Sequence, residues 1–352
     1  MSADDIKPII PDEVVFTESS TEQRELSWRI NGVSWSAPLN LEDHLERQAL
    51  LDTKDPGRTY YVVHRRGNPL DIVCAVESVA KTALIKPPGG SVQPTKAYGV
   101  AAVHTNPTYR KQGMAAWMLC RLQEVMDKDS DFSVLYSGIG PEFYAKYGWN
   151  MALATQVTLF LLGSVVPPAM PEGVKFLARE EVAPLCEKDI AKLTTRLSES
   201  PEDGRTRVAF LPTFEQMDWH FERNAISARK LRDREPQNFG AVTADGANWV
   251  YWIHEVGKGT LGILRIVAEN PGAAMDLMRA ALVEAKDWGF ERVTLWNPQG
   301  DIEEAARTLG VEDETGVRVR FEGRQNRLPC LRWKGGERVD VLWEDNHHYA
   351  WC

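Results

Sequence analysis

GVAAVHTNPTYRKQGMAAWMLCRLQEVM, residues 99–126, is the stretch that decides how this chain folds. The apolar run Val100–Val103 reads as a strand. Thr105-Asn106-Pro107 turns the chain, and Arg110-Lys111-Gln112-Gly113-Met114-Ala115 leads into a helix. Trp117, Met118, Leu119, Leu122, Val125 and Met126 form the apolar side of that helix. A strand that passes to a helix through a small-residue turn makes an anion site. The free N–H groups of the first helical turn point outward, and the helix dipole favours negative charge there. Gly113 lets a bulky phosphate approach the backbone. Arg110 adds a forked, permanent positive charge. The unit therefore suits a pyrophosphate.

Two common nucleotide loops do not fit. A Walker loop needs Lys-Ser/Thr after its second glycine, and a dinucleotide fingerprint needs three glycines in the turn. The pattern Arg-x-x-Gly-x-Ala after Thr-x-Pro instead resembles the acyl-CoA loop of the GNAT superfamily of N-acetyltransferases. Downstream, Phe143-Tyr144-Ala145-Lys146-Tyr147-Gly148-Trp149 resembles that superfamily's second signature, a tyrosine shortly before a glycine and an aromatic. The helix and the strand Phe132–Tyr136 separate the two signatures in the order the superfamily requires.

The chain has 352 residues, which points to two domains. Its net charge of −9 argues against a nucleic-acid partner, which needs a basic face. The start MSADDIKPII has neither the basic opening nor the apolar core of a signal peptide. No apolar run is long enough to span a bilayer, so no membrane partner is expected. The five cysteines are scattered, without a zinc-like spacing. A cytoplasmic, disulfide-free protein that uses no metal is the expectation.

Leu39–Leu51 reads as an amphipathic helix, and Tyr60–His64 with Asp71–Val79 as a strand pair. Lys86–Pro94 is a Pro/Gly-rich loop. A short helix spans Pro141–Tyr147, and Val157–Leu162 is a further strand of the first unit. Gly163–Gly173 reads as a linker. Beyond it, Phe214–Arg223 is helical, Trp249–Glu255 and Thr260–Val267 pair, and the helix Ala273–Gly289 precedes the strand Arg292–Trp296. The fold class is α/β (α+β) with mixed sheets. The resemblance implies an N-terminal GNAT fold over 1–165, followed by a second, degenerate GNAT-like domain over 172–352. The second unit's turn, Ala268-Glu269-Asn270-Pro271-Gly272, lacks the Arg-x-x-Gly-x-Ala spacing and is acidic where a phosphate would sit. It is expected to hold no cofactor.

The chemistry implied is amine attack on an acetyl thioester. Only about one in a few thousand lysine-like ammonium groups is a free nucleophile at pH 7. The enzyme must remove a proton, polarise the carbonyl and protonate the leaving thiolate. Tyr144 matches the superfamily's acid, with Tyr147 as its internal competitor. The resemblance assigns Val103, Thr105, Arg110, Lys111, Gln112, Gly113, Met114 and Ala115 to acetyl-CoA. His104 faces the other side of its strand, as a substrate-side group or a packed histidine. Three candidates stand for the base: Glu77, on a strand bordering the cleft; water; and, as the resemblance to multi-domain acetyltransferases implies, the terminal carboxylate of Cys352, behind the apolar ending Tyr349-Ala350-Trp351. Eight of the 12 tryptophans follow residue 172, which favours packing over an aromatic substrate wall.

The whole chain resembles the fungal lysine acetyltransferase family. The resemblance extends to Trp249–His254, Leu261–Arg265, Val293–Pro298 and the ending Tyr349–Cys352. It implies the side-chain amine of free L-lysine as acceptor. The residues alone leave other readings open: acetylation of a polyamine, an amino sugar or another amine metabolite, a protein-lysine acetyltransferase, or an acyl-CoA-sensing module without turnover. They do not reveal the oligomeric state.

Overall fold

The computed structural model describes residues 11–162, 169–310, 316–336 and 339–351. In chain order the first half contains β1 (Val14–Glu18), α1 (Thr21–Trp35), α2 (Leu41–Asp52), β2 (Arg58–Arg65), β3 (Asn68–Lys86), β4 (Gln93–Thr105), α3 (Met114–Met126), β5 (Phe132–Ser137), α4 (Glu142–Ala145), β6 (Asn150–Met151) and β7 (Thr155–Leu161). There follow β8 (Val174–Leu177), α5 (Val182–Ser198), β9 (Thr206–Phe210), α6 (Phe214–Arg232), β10 (Gly240–Thr243), β11 (Trp249–Glu255), β12 (Thr260–Val267), α7 (Pro271–Asp287), β13 (Arg292–Trp296), α8 (Asp301–Leu309), β14 (Val317–Gly323), β15 (Leu328–Trp333) and β16 (Val341–Trp343).

Two mixed sheets organise these elements. The first runs β1-β2-β3-β4-β5-β15-β6, with β9 on the far part of β3 and β16 on β9. The second runs β14-β7-β13-β12-β11-β10-β8. In each sheet a single parallel pair stands among antiparallel neighbours along the main path: β4 with β5, and β12 with β13. A parallel pair needs a crossover, and α3 and α7 supply it. Met114, Met118, Leu119, Leu122 and Met126 recur at helical spacing and bury the inner face of α3 against the first sheet. Each such side chain contributes about 1.5–3 kcal/mol of burial.

The sheets exchange strands between the two halves of the sequence. β7, read as a strand of the first unit, pairs with β13 and β14 in the second sheet. In return β15 enters the first sheet between β5 and β6, and β9 and β16 extend it. Alternation of apolar residues makes β7 a strand but does not say which sheet it joins. A third core lies between the sheets, where Phe132 meets Phe210, and Tyr251 and Tyr349 are fully buried.

β15 is fixed by charge as well as by the ladder. Arg332 reaches the end of α3 and grips Asp127 with two bonds, at 2.6 and 2.7 Å. Burial opposes the Asp127 charge, but the Arg332 fork and the Gly335 N–H hold its carboxyl below the usual range. A carboxyl lowered by folding stabilises the fold fully above its ordinary pKa, and the gain is lost as pH falls through the folded value. Arg332→Ala is expected to cost about 2 kcal/mol at neutral pH, discounted for the exposed side of Asp127. Urea melts should show that loss shrinking at strongly acid pH, whereas a purely packing role would leave it constant.

Candidate active site

β4 and β5 pair from Ala97/Phe132 to Val100/Leu135 and then part. β4 continues to Thr105, still bonded to β3 but no longer to β5. The parting coincides with a bulge. Glu77 faces Ala101 and Ala75 faces His104, so Ala102 and Val103 together oppose Val76. Ala102 takes a φ of 50°, in the left-handed region that residues with a Cβ rarely adopt. The bulge leaves a wedge-shaped opening whose β4 wall carries ladder groups without a strand partner. Such an edge can receive an extended, amide-bearing chain as an added strand.

At the wide end of the wedge the chain turns into α3. Lys111 and Gly113 both have positive φ, 64° and 76°. Gly113 caps the 13-residue helix without any side-chain hydrogen bond, so the N–H groups of the first turn are open. Arg110 and Lys111 are exposed beside them, and Arg110 Nε reaches the Thr105 carbonyl at 3.4 Å. Open amides, a positive helix end and two free-standing cations on one loop fit a pyrophosphate. The structure thus brings together Val103, Thr105, Arg110, Lys111, Gln112, Gly113, Met114 and Ala115 along one wall and mouth.

α4 follows from β5, on the other wall. Tyr144 is buried in the core it shares with Met114, Met118 and Trp149. Burial pushes its phenol up to about 12, so it keeps its proton under ordinary conditions. Tyr147 is half-buried, and its carbonyl accepts a bond of 2.7 Å from Gln123 of α3, a packing contact. Gly148, at φ 89°, lets the chain turn so that Trp149 enters the core, where its Nε1 donates to Ser133 Oγ at 3.1 Å.

The opposite face of the first sheet holds the other predicted groups. His104 is buried, lies 5.4 Å from the Trp35 ring of α1, and its Nε2 has no hydrogen-bond partner. Burial first, and then Arg110, lower its pKa, which favours the neutral ring. Glu77 is buried on the same face and is ion-paired to Arg58. Burial pushes its carboxyl up, while Arg58 pulls in the other direction. Val103 turns to the α3 side. Sequence reasoning missed Arg58 because nothing in β2 marks its partner 19 residues on.

The second half supplies much of the surroundings. Trp296 of β13 lies 6.0 Å from Tyr136, at the end of β5, and stacks at 3.9 Å on His348. The tail then runs toward Glu77. Tyr349 Oη donates to the Phe210 carbonyl at 2.8 Å, and Lys81 donates to the Ala350 carbonyl at 2.8 Å. Trp351 lies near Trp219, whose ring Arg58 overlies at 5.2 Å. A cleft of about 240 Å³ opens here beside Arg58, Lys81, Gln216 and Trp219. Cys352, the other proposed base, lies outside the described residues. Among the described residues no group of His, Cys, Asp or Glu could hold a metal ion, and no helix is long and apolar enough to cross a membrane.

The second sheet repeats the parting of strands. β12 and β13 pair as far as Ile263/Leu295, and a bulge follows at Leu264, opposite β11. Here the tail enters the opening. Arg265 of β12 binds Asp345 at 2.6 Å as well as Asp189 at 2.7 Å, and Asn297 donates to the Asn346 carbonyl. The side chain of Asn270 also caps the helix, accepting from the Ala273 N–H at 2.9 Å. The cleft left outside the tail, about 550 Å³, is lined by charges already paired, including Lys192 with Glu269.

Residues 164–352 match the family model described as the LYC1 GNAT-like C-terminal domain, and residues 46–152 match that of an acetyltransferase (GNAT) domain. The chain belongs to the GNAT acetyltransferase family. It is an acyltransferase built from two GNAT-like halves. It is 22% identical to a lysine acetyltransferase of Yarrowia lipolytica, over 82% of this chain and 83% of that protein. It is also 22% identical to the uncharacterized protein YGR111W of Saccharomyces cerevisiae, over 97% and 98% of the two chains. Among solved structures, a putative acetyltransferase from Pyrococcus horikoshii shares the fold at a TM-score of 0.56 and 13% identity, covering 98% of both chains. A GCN5-related N-acetyltransferase from Kribbella flavida does so at 0.54 and 17%, over 91% of this chain and 72% of that one.

Gly113→Val tests the loop. A Cβ at Gly113 meets nothing within 4 Å, so the penalty is backbone strain and loss of space above the loop rather than a clash in the fold. Acetyl-CoA affinity, measured by calorimetry, should fall at least tenfold with little change in melting temperature. Unchanged affinity would remove the phosphates from this loop.

Proposed function

We propose that this protein transfers the acetyl group of acetyl-CoA to the side-chain amine of free L-lysine. The observation that carries the donor is the opening between β4 and β5 ending on the uncapped first turn of α3, with Arg110 and Lys111 beside it. The opening takes an amide-bearing arm, and the turn takes the phosphates. Support for the acceptor comes from the lysine acetyltransferase of Yarrowia lipolytica, which this chain resembles across both halves.

The donor supplies an acetyl thioester. The chain's own residues do the rest. Backbone N–H groups at the bulge of β4 polarise the thioester carbonyl. Tyr144, a protonated phenol whose pKa burial raises further, gives a proton to the leaving sulfur. The incoming ammonium must lose a proton. Glu77, whose carboxyl burial has pushed up, is the buried acidic group on the acceptor face and acts directly or through water. His104, neutral and lacking a partner on Nε2, offers a polar atom on that face.

A thiol-release assay against L-lysine, polyamines, amino sugars and a histone peptide tests the acceptor. L-Lysine should give the highest kcat/KM by at least tenfold. A preference for another amine would replace lysine, and no thiol release with any of them would favour an acyl-CoA-sensing role. Tyr144→Phe should lower kcat by about 10²–10³-fold without changing acetyl-CoA affinity. Because the phenol keeps its proton up to about pH 12, the loss should be the same from about pH 6 to about pH 10. A loss confined to one end of that range would give the proton to another group.

A further inference from the structure

Most buried charges here have an opposite charge in contact. Glu77 has Arg58, Asp189 and Asp345 have Arg265, and Glu255 has Lys258 and Arg327. Arg47, which is buried, and Arg223, which is half-buried, make no such contact, although Glu255 acts on Arg223 from beyond ion-pair distance. They sit on α2 and α6, which pack together between two ion pairs, Lys54–Asp218 at 3.3 Å and Lys230–Glu46 at 2.6 Å. Lys54 thus pairs with Asp218, and Lys230 with Asp43 as well as Glu46. Arg47 is only 6% exposed. Its Nη2 meets His44 Nδ1 at 3.1 Å, and its Nε is buried with no hydrogen-bond partner. Arg223 lies over the Trp351 ring at 5.0 Å, and Arg327 approaches the same ring at 4.8 Å. Neither Arg47 nor Arg223 makes an ion pair with a carboxylate among the described residues. His44 offers no charge in compensation: burial, then Arg47 and Arg223, lower it to about 4.

Guanidinium groups buried without a counter-charge are unfavourable, and an anion relieves them. Their planar forks match a carboxylate in particular. The site is also connected to the acceptor face. Glu77 holds Arg58, Arg58 overlies Trp219 at 5.2 Å, Trp219 lies 6.1 Å from Trp351, and Trp351 lies under Arg223.

We propose that Arg47 and Arg223 form the receptor for the carboxylate of an amino-acid acceptor, with the contacting pair Trp219 and Trp351 along one side of its methylene chain. This assignment rests on the amino-acid reading above and deepens it, because the carboxylate separates a free amino acid from a polyamine or an amino sugar.

L-Norleucine, which has lysine's carboxylate but no side-chain amine, probes the receptor without acetyl transfer. Its decarboxylated counterpart, 1-aminopentane, is the control. By calorimetry the full-length wild type should bind norleucine at least tenfold more tightly than 1-aminopentane. Arg223→Gln and Arg47→Gln should erase that difference, and Arg223→Lys should keep part of it. Melting temperature and acetyl-CoA affinity report whether each variant is folded. If the glutamine variants do not fold, the wild-type comparison and Arg223→Lys decide. A wild type that binds the two probes equally, or a folded Arg223→Gln that still discriminates, overturns the proposal. Discrimination that depends on Arg223 in a protein that does not acetylate L-lysine would leave the receptor standing and remove lysine as acceptor.

Discussion

The structure depends on one constraint: two parallel strands that must pair over part of their length and then separate. β4 and β5 share hydrogen bonds through Val100 and Leu135, and the bulge at Ala102–Val103 ends the partnership. A parallel pair must be joined by a crossover, so α3 starts at the mouth of the gap and its unsatisfied N–H groups face it. The wedge, the unpaired edge and the positive helix end therefore come from a single topological event. The positive φ of Ala102 is the local strain that this arrangement retains.

The second sheet repeats the event, but its opening has a different fate. Where α3 begins at Gly113 with no side-chain cap, α7 begins with Asn270 bonded to its own first turn. Where the first opening is bordered by Arg110 and Lys111, the second receives Asp345–His348 of the chain's own tail, held by Arg265 and Asn297. One half thus leaves the gap between its strands open, and the other uses it to anchor a tail. That tail continues through Tyr349 and Ala350 to the face of the first sheet that carries Glu77 and His104, where Phe210 and Lys81 bind it. With β7 and β15 exchanged between the sheets, neither half is complete without the other.

The β4–turn–α3 unit was legible because its signals are local. Loop spacing, the apolar face of α3 and the tyrosine before Gly148 all lie within a few dozen residues. The strands Trp249–Glu255, Thr260–Val267 and Arg292–Trp296 were also readable, because apolar alternation and turn residues bound them. Sheet membership was not, since pairing of β7 with β13 and of β15 with β5 depends on contacts far apart in sequence. The surroundings of Glu77 were hidden for the same reason. Glu77 could be singled out as a strand carboxylate, but its pairing with Arg58 and the lack of a contact ion pair at Arg47 and Arg223 are tertiary facts. Helix α1, which carries Trp35 over His104, has a weak apolar pattern and was not anticipated.

The central claim is that one opening, between β4 and β5, takes the acetyl donor, while the repeat of it does not. Hydrogen exchange of the full chain with and without acetyl-CoA tests this most directly. The account predicts slowed exchange at the amides of Ala101–Thr105 and of the first turn of α3 from Met114, with Ala268–Ala274 unchanged. Protection at the start of α7, or none along β4 and α3, would contradict it.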